Sequence, residues 1–243
     1  MARLEEANVG SSVILPTFGT PVGRIECRHL RASADIHYNP GMERPRLTRA
    51  QLDSAKVGAF FRPRDVLPLG VTFRDLQRLV AAGTVDKVGD GLSRLSAVEP
   101  NEFETLAMVA SAVPNSIVCL LSALRVHGIG TQSPHEVWIA INRKARKPRR
   151  LPARVRIVRF SGAMLTYGVV EQTMLGVPVA ITSPARTVVD CFRYRNKVGI
   201  DVAKEALADA LRSRITTVSE IVRAAEVCRA RTVMRSYLEA FPA

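Results

Sequence analysis

Apolar and polar positions fall into short periodic blocks from about residue 48 onward, and before that they do not. Residues 1–45 scatter Gly, Pro, Ser and Arg without a sustained period of 2 or 3.6, so they read as a disordered or irregular extension. Met42 stands just ahead of the first helical pattern; the residues before it are either a flexible extension or the product of a start codon set too far upstream. Residues 48–57 predict a first helix with Leu52 and Ala55 on one face. RPRDVLPLG predicts a second, with Pro63 in its first turn, Gly70 at its end and Pro68 in or after its last turn. TFRDLQRLVAAG predicts a third: Thr72 is the N-cap, Asp75 the N3 residue of a near capping box, and Gly83 the terminator. Helical spacing puts Phe73, Leu76, Leu79 and Val80 on its core side and Arg74, Gln77, Arg78 and Ala81 outward. TVDKVGDGLSRL then reads as a hairpin turning at Gly89-Asp90-Gly91.

Beyond Pro100 the pattern changes. Glu102 to Val113 predicts an amphipathic helix, Ile117 to His127 a short apolar helix, and Val137 to Ile141 a strand of buried type. Val155 to Phe160 alternates as a strand, and Val169 to Leu175 with Val177 to Thr182 are two more meeting at Gly176. Ser183, read as a cap, and Pro184 open the helix SPARTVVDCFRYR. Helices follow over Asp201–Arg212, Val218–Arg229 with a Thr217/Glu220 capping box, and Val233–Phe241 with the stripe Val233, Met234, Tyr237, Leu238 and Phe241. The fold class is α+β: an N-terminal winged helix-turn-helix over residues 46–98 and a mixed α+β domain over residues 99–243.

Charge adds a partner to this picture. The net charge is +13 over 243 residues with a pI near 10.4, which favours a polyanion, nucleic acid or an acidic membrane surface. No apolar run approaches a membrane span and the N-terminus has no apolar signal core, so a soluble, cytoplasmic protein is expected. The candidate DNA-binding residues are Arg74, Gln77 and Arg78 on the outward face of the third helix, Lys87 and Arg94 on or near the hairpin, and Arg62, Arg64 and Thr72 beside the helices. A second cationic feature is the surface loop Arg143, Lys144, Arg146, Lys147, Arg149 and Arg150, six cations in eight residues between two strands.

Catalytic signals are weak. The four cysteines, Cys27, Cys119, Cys191 and Cys228, form no CxxC pair, and Cys27, His29 and His37 lack a fourth partner, so neither a zinc site nor a disulfide framework is indicated. No Glu-x-Lys or Asp-x-Lys pair accompanies SPARTVVD, as metal-assisted phosphodiester hydrolysis would need. Ser183, His127, His135 and Asp190 sit in no G-x-S-x-G elbow, and GIGTQ completes no GxGxxG, so no nucleotide cofactor and no enzyme are expected. Asp190 is preferred as a partner of Arg186 or Tyr194, the two histidines as hydrogen-bonded structural groups, and Trp138 as a core residue grouped with Val137 and Ile139.

Taken in order, FRPRDV, VPNSIVCLLSALRVHGIGTQSPHEVWIAINRKARKPR, VRIVRFSG, GVPVAITSPARTVVDCFRYRNKVGIDVAKEAL and VCRARTVMRSYLEAF resemble the AbiEi antitoxins of the AbiE abortive-infection systems, described as type IV toxin-antitoxin regulators. The resemblance covers residues 48–243. It implies an N-terminal winged helix that binds repeats in the promoter of its own operon and represses it. It also implies a C-terminal domain that counteracts a nucleotidyltransferase toxin without requiring a stable complex. The alternative is a winged-helix regulator without a toxin partner, whose second domain senses a ligand or dimerises.

Overall fold

The computed structural model describes residues 57–239. The extension assigned to residues 1–45, the first helix expected over residues 48–57 (save Val57, which is not helical), Cys27 and Phe241 lie outside the described residues. The described chain opens on the buried strand β1 (Phe60–Phe61). Helix α1 (Pro63–Val66) starts on a proline, whose missing N–H is harmless in a first turn, and a 3-10 turn over Leu67–Leu69 carries Pro68 and stops at Gly70, φ +84°. Helix α2 (Phe73–Ala81) has its capping box: the Asp75 N–H donates to the Thr72 hydroxyl at 3.2 Å and the Thr72 N–H to the Asp75 carboxylate at 3.0 Å.

The predicted hairpin is β2 (Val85–Gly89) and β3 (Leu92–Leu95), with an irregular register between Lys87 and Gly89; β1 adds to β3, giving an antiparallel sheet of order β1-β3-β2. Phe61, Val66, Val71, Leu76, Leu79, Val85 and Leu95 form a small core beneath it. Phe73 does not join them. It is 62% exposed, against the core assignment made from spacing. The core lies under the middle of α2, and helical Cβ atoms tilt toward the N-terminus, so a first-turn side chain leans away from it.

Helix α3 (Glu104–Ala112) leads to a second correction. Ile117 and Val118 are not helical but form the strand β4 (Ile117–Val118), and helix α4 (Leu120–His127) begins only after an extended Cys119. A short apolar run suits either period, and the decision comes from partners on both sides: β4 pairs antiparallel with β5 (Val137–Asn142) and parallel with β8 (Val177–Thr182). With β6 (Val155–Phe160) parallel to β5 and β7 (Val169–Met174) antiparallel to β8, the five-stranded mixed sheet has the order β6-β5-β4-β8-β7.

Both faces of this sheet are covered. Trp138 and Ala140 turn to a core closed by α4, α5 (Pro184–Arg193), α7 (Ile200–Arg212), α8 (Val218–Val227) and α9 (Arg231–Leu238), with the short α6 (Arg195–Val198) between. Val137, Ile139 and Ile141 turn to the other, under α3 and the residues Ala59, Phe60 and Leu92. Trp138 is therefore a core residue, but on the face opposite Val137 and Ile139, since successive strand side chains alternate. The architecture is mixed α+β.

Packing is continuous across residue 99. The Ala59 N–H donates to the Leu175 carbonyl at 2.8 Å, the Ser111 hydroxyl to the Phe60 carbonyl at 3.2 Å, and Arg94 Nε lies 3.0 Å from Glu104. At Gly58 a Cβ would stand 2.7 Å from the Gly176 carbonyl oxygen, so only glycine lets these two backbones approach so closely. Cys119, Cys191 and Cys228 are buried free thiols. Among the described residues no helix is long and apolar enough to cross a membrane.

Candidate nucleic-acid interface

Successive helical residues turn by about 100°, so Phe73, Gln77, Ala81, Arg74 and Arg78 occupy an arc of roughly 140° on α2. All five are exposed, while Leu76 and Leu79 anchor the opposite side. Arg78 keeps its guanidinium 3.5 Å from Asp75 and stays two-thirds exposed. Arg64 at α1 and Lys87 on β2 are also exposed.

Three of the sequence candidates are occupied inside the fold. Arg62 donates to both oxygens of Asp65, Nε at 3.1 Å and Nη2 at 3.2 Å, and its N–H donates to the same carboxylate at 2.9 Å. Burial pushes the Asp65 carboxyl up, but these bonds and the Arg62 charge outweigh it and hold it below its ordinary value. Arg94, expected to face a phosphate, pairs with Glu104 and donates from Nη2 to the Val98 carbonyl at 2.9 Å, tying β3 to α3. Thr72 is spent on its cap. Spacing along the chain carries no trace of these partners, because Glu104 reaches Arg94 only through the fold.

The basic loop is a surface feature: Arg143, Lys144, Arg146, Lys147, Arg149 and Arg150 are all exposed. Its ends are held. Arg159 Nη1 donates to the carbonyls of Asn142, at 3.0 Å, and of Ala145, while the Lys144 N–H donates to Asn142 Oδ1 at 2.9 Å. At the far end Arg150 is ion-paired with Asp90 in the β2–β3 turn. The loop and the hairpin thus meet, and together with Arg62 and Pro152 they border a cleft of about 240 Å³.

Of the groups considered for catalysis, His127 and Asp190 are held in structural bonds, whereas His135 is exposed in the loop before β5 and has no hydrogen-bond partner among the described residues, against the structural role expected of it. His127 Nε2 donates to the Thr182 carbonyl at 2.6 Å, and burial lowers its pKa despite that bond. Ser183 holds the N-cap position of α5 but its hydroxyl caps nothing, correcting the expected role; it lies against Gly168 instead. Arg186 and Asp190 are fully buried partners, Nε to Oδ2 at 2.8 Å, with Arg186 also donating to the carbonyls of Met164, at 3.1 Å, and Tyr167. Burial pushes the Asp190 carboxyl up to about 6 against the pull of Arg186. Among the described residues no cluster of three His, Cys, Asp or Glu side chains is arranged to hold a metal.

No family model matches the chain, and no curated protein matches it. Among solved structures it is similar to the crystal structure of the Rv2827c protein from Mycobacterium tuberculosis, with a TM-score of 0.45 and 13% identity over 79% of this chain and 78% of that one.

Proposed function

We propose that the chain is a DNA-binding antitoxin and transcriptional autorepressor of a type IV toxin-antitoxin operon, acting against a nucleotidyltransferase toxin and without catalytic activity of its own. In this reading α1, α2 and the β2–β3 hairpin belong to a winged helix-turn-helix. The observation that carries it is the exposed arc of α2, where Arg74, Gln77 and Arg78 stand together beside a two-stranded hairpin bearing Lys87. Arginine suits guanine and glutamine suits adenine at the major-groove edge, while lysine on a wing suits phosphate. The net charge of +13 fits a polyanionic partner.

The antitoxin half of the reading rests on the sequence resemblance. Its distinctive blocks CLLSAL, HEVWIAI and SPARTVVDCF supply buried residues of α4, β5 and α5, so they specify the framework rather than a reacting surface. A regulator without a toxin partner, with a ligand-sensing second region, is the second reading; a cavity of about 530 Å³ between residues 57–69, the end of α3 and the β7–β8 turn favours it.

Two measurements test the proposal. Purified protein should bind duplex DNA from upstream of its own gene more tightly than unrelated duplex. Arg74→Ala and Arg78→Ala should each remove roughly 1–3 kcal/mol of that preference. Co-expression should relieve growth arrest caused by a neighbouring nucleotidyltransferase gene. Sequence-specific binding without such relief favours the ligand-sensing reading.

A further inference from the structure

Phe73 is the most exposed large apolar side chain among the described residues, at 62%, and it stands at the first position of α2, next to Arg74 and one turn before Gln77. It adds nothing to the small core, to which α2 contributes the buried Leu76 and Leu79 and the half-buried Val80. An aromatic ring at the leading end of a cationic helix face suits a ligand that is anionic in outline and offers an apolar spot at a defined place.

Duplex DNA has that character. Its major-groove edge presents donors and acceptors at every pair, and the one apolar group among them is the C5-methyl of thymine. Residues at the start of a recognition helix are the ones that reach base edges. We infer that Phe73 is a specificity-determining residue that packs against a thymine methyl, beside the base read by Gln77, while Arg74 and Arg78 supply the charge complementarity that brings the groove to the ring. This inference rests on the proposed reading of α2.

The experiment uses the full-length chain and a duplex enriched by it from a randomised pool. Each thymine of the enriched site is replaced in turn by deoxyuridine, which removes the methyl and nothing else. At one position the parent protein is expected to lose about fourfold in affinity, the value of one buried methyl-sized group. Phe73→Ala should lose a similar factor on the unmodified duplex and show no further loss with deoxyuridine. Phe73→Leu should keep part of the methyl dependence, and the melting temperatures should be unchanged because the ring lies outside the core. Equal deoxyuridine penalties for parent and Phe73→Ala overturn the inference while leaving DNA reading intact. A Phe73→Ala change that alters only the sedimentation coefficient assigns the ring, with exposed Leu67 and Leu69, to contact between copies and overturns it as well. If no duplex is enriched, the reading of α2 falls together with it.

Discussion

Arg186 is a fully buried cation whose donors are divided among Asp190, the Met164 and Tyr167 carbonyls and, at 4.9 Å, the face of Phe160. One side chain thereby joins α5 to the loop before β7. Replacing it by methionine strips two carbonyls of a donor and leaves the Asp190 carboxyl in an apolar core, one oxygen of which already has no partner. Arg186→Met is expected to lose about 3–5 kcal/mol at neutral pH, read by urea unfolding. The pH dependence has a definite sign. Asp190 has its pKa raised to about 6 from an ordinary 3.8, so the native state binds the extra proton in that window and this group's stabilisation falls as pH rises through it. Removing Arg186 raises that pKa further and extends the window upward. The deficit of Arg186→Met relative to the parent should therefore be larger at pH 7.5 than at pH 5, and an equal deficit at both would contradict the linkage.

Strands and turns set the next level. The turn between β7 and β8 touches the segment before β1 through glycine on both sides, Gly176 at φ +74° and Gly58 against its carbonyl. Gly58→Ala forces these backbones apart and is expected to cost about 1–3 kcal/mol. The Ala59 amide, bonded to the Leu175 carbonyl, should lose hydrogen-exchange protection first. The basic loop behaves differently, since its cations are exposed and the Arg150–Asp90 pair is open to solvent. Changing its six cations to serine should leave the fold intact, altering stability by no more than about 0.5 kcal/mol per residue in thermal unfolding. The same variant should show a shallower salt dependence of DNA binding, by about 0.9 in the log-log slope for each phosphate no longer neutralised. An unchanged slope would leave the loop as a solvated charge run.

Across the molecule, the hairpin region and the five-stranded sheet share one layer of core: Ala59, Phe60 and Leu92 pack with Ile139, Val179 and Ile181. Arg94 to Glu104 and Arg150 to Asp90 cross the same seam. Calorimetry of the full chain should accordingly give one transition for the described region, with calorimetric and van't Hoff enthalpies equal. Two separated peaks would mean that residues 57–98 unfold on their own. The shared core also brings the basic loop to the hairpin turn, where Arg150 meets Asp90, a residue 60 positions earlier in the chain.

Periodicity and punctuation determined most elements: the capped α2, the hairpin at Gly89–Gly91, strands β5 to β8 and the helices α5, α7, α8 and α9 follow from local rules that need no neighbours, while the short α6 does not. The partnership of Arg186 with Asp190 was legible for the same reason, as the two lie four residues apart on one helix. What the tertiary structure decided depends on residues distant in the chain. Ile117 and Val118 become a strand because β5 and β8 flank them, Arg94 leaves the candidate surface because Glu104 reaches it, and Phe73 stays in solvent because α2 meets the small core only from Leu76 onward. The pairing of the basic loop with the hairpin turn is of this kind too. Hydrophobic period assigns a residue to a face, and only the packed neighbours determine whether that face is covered.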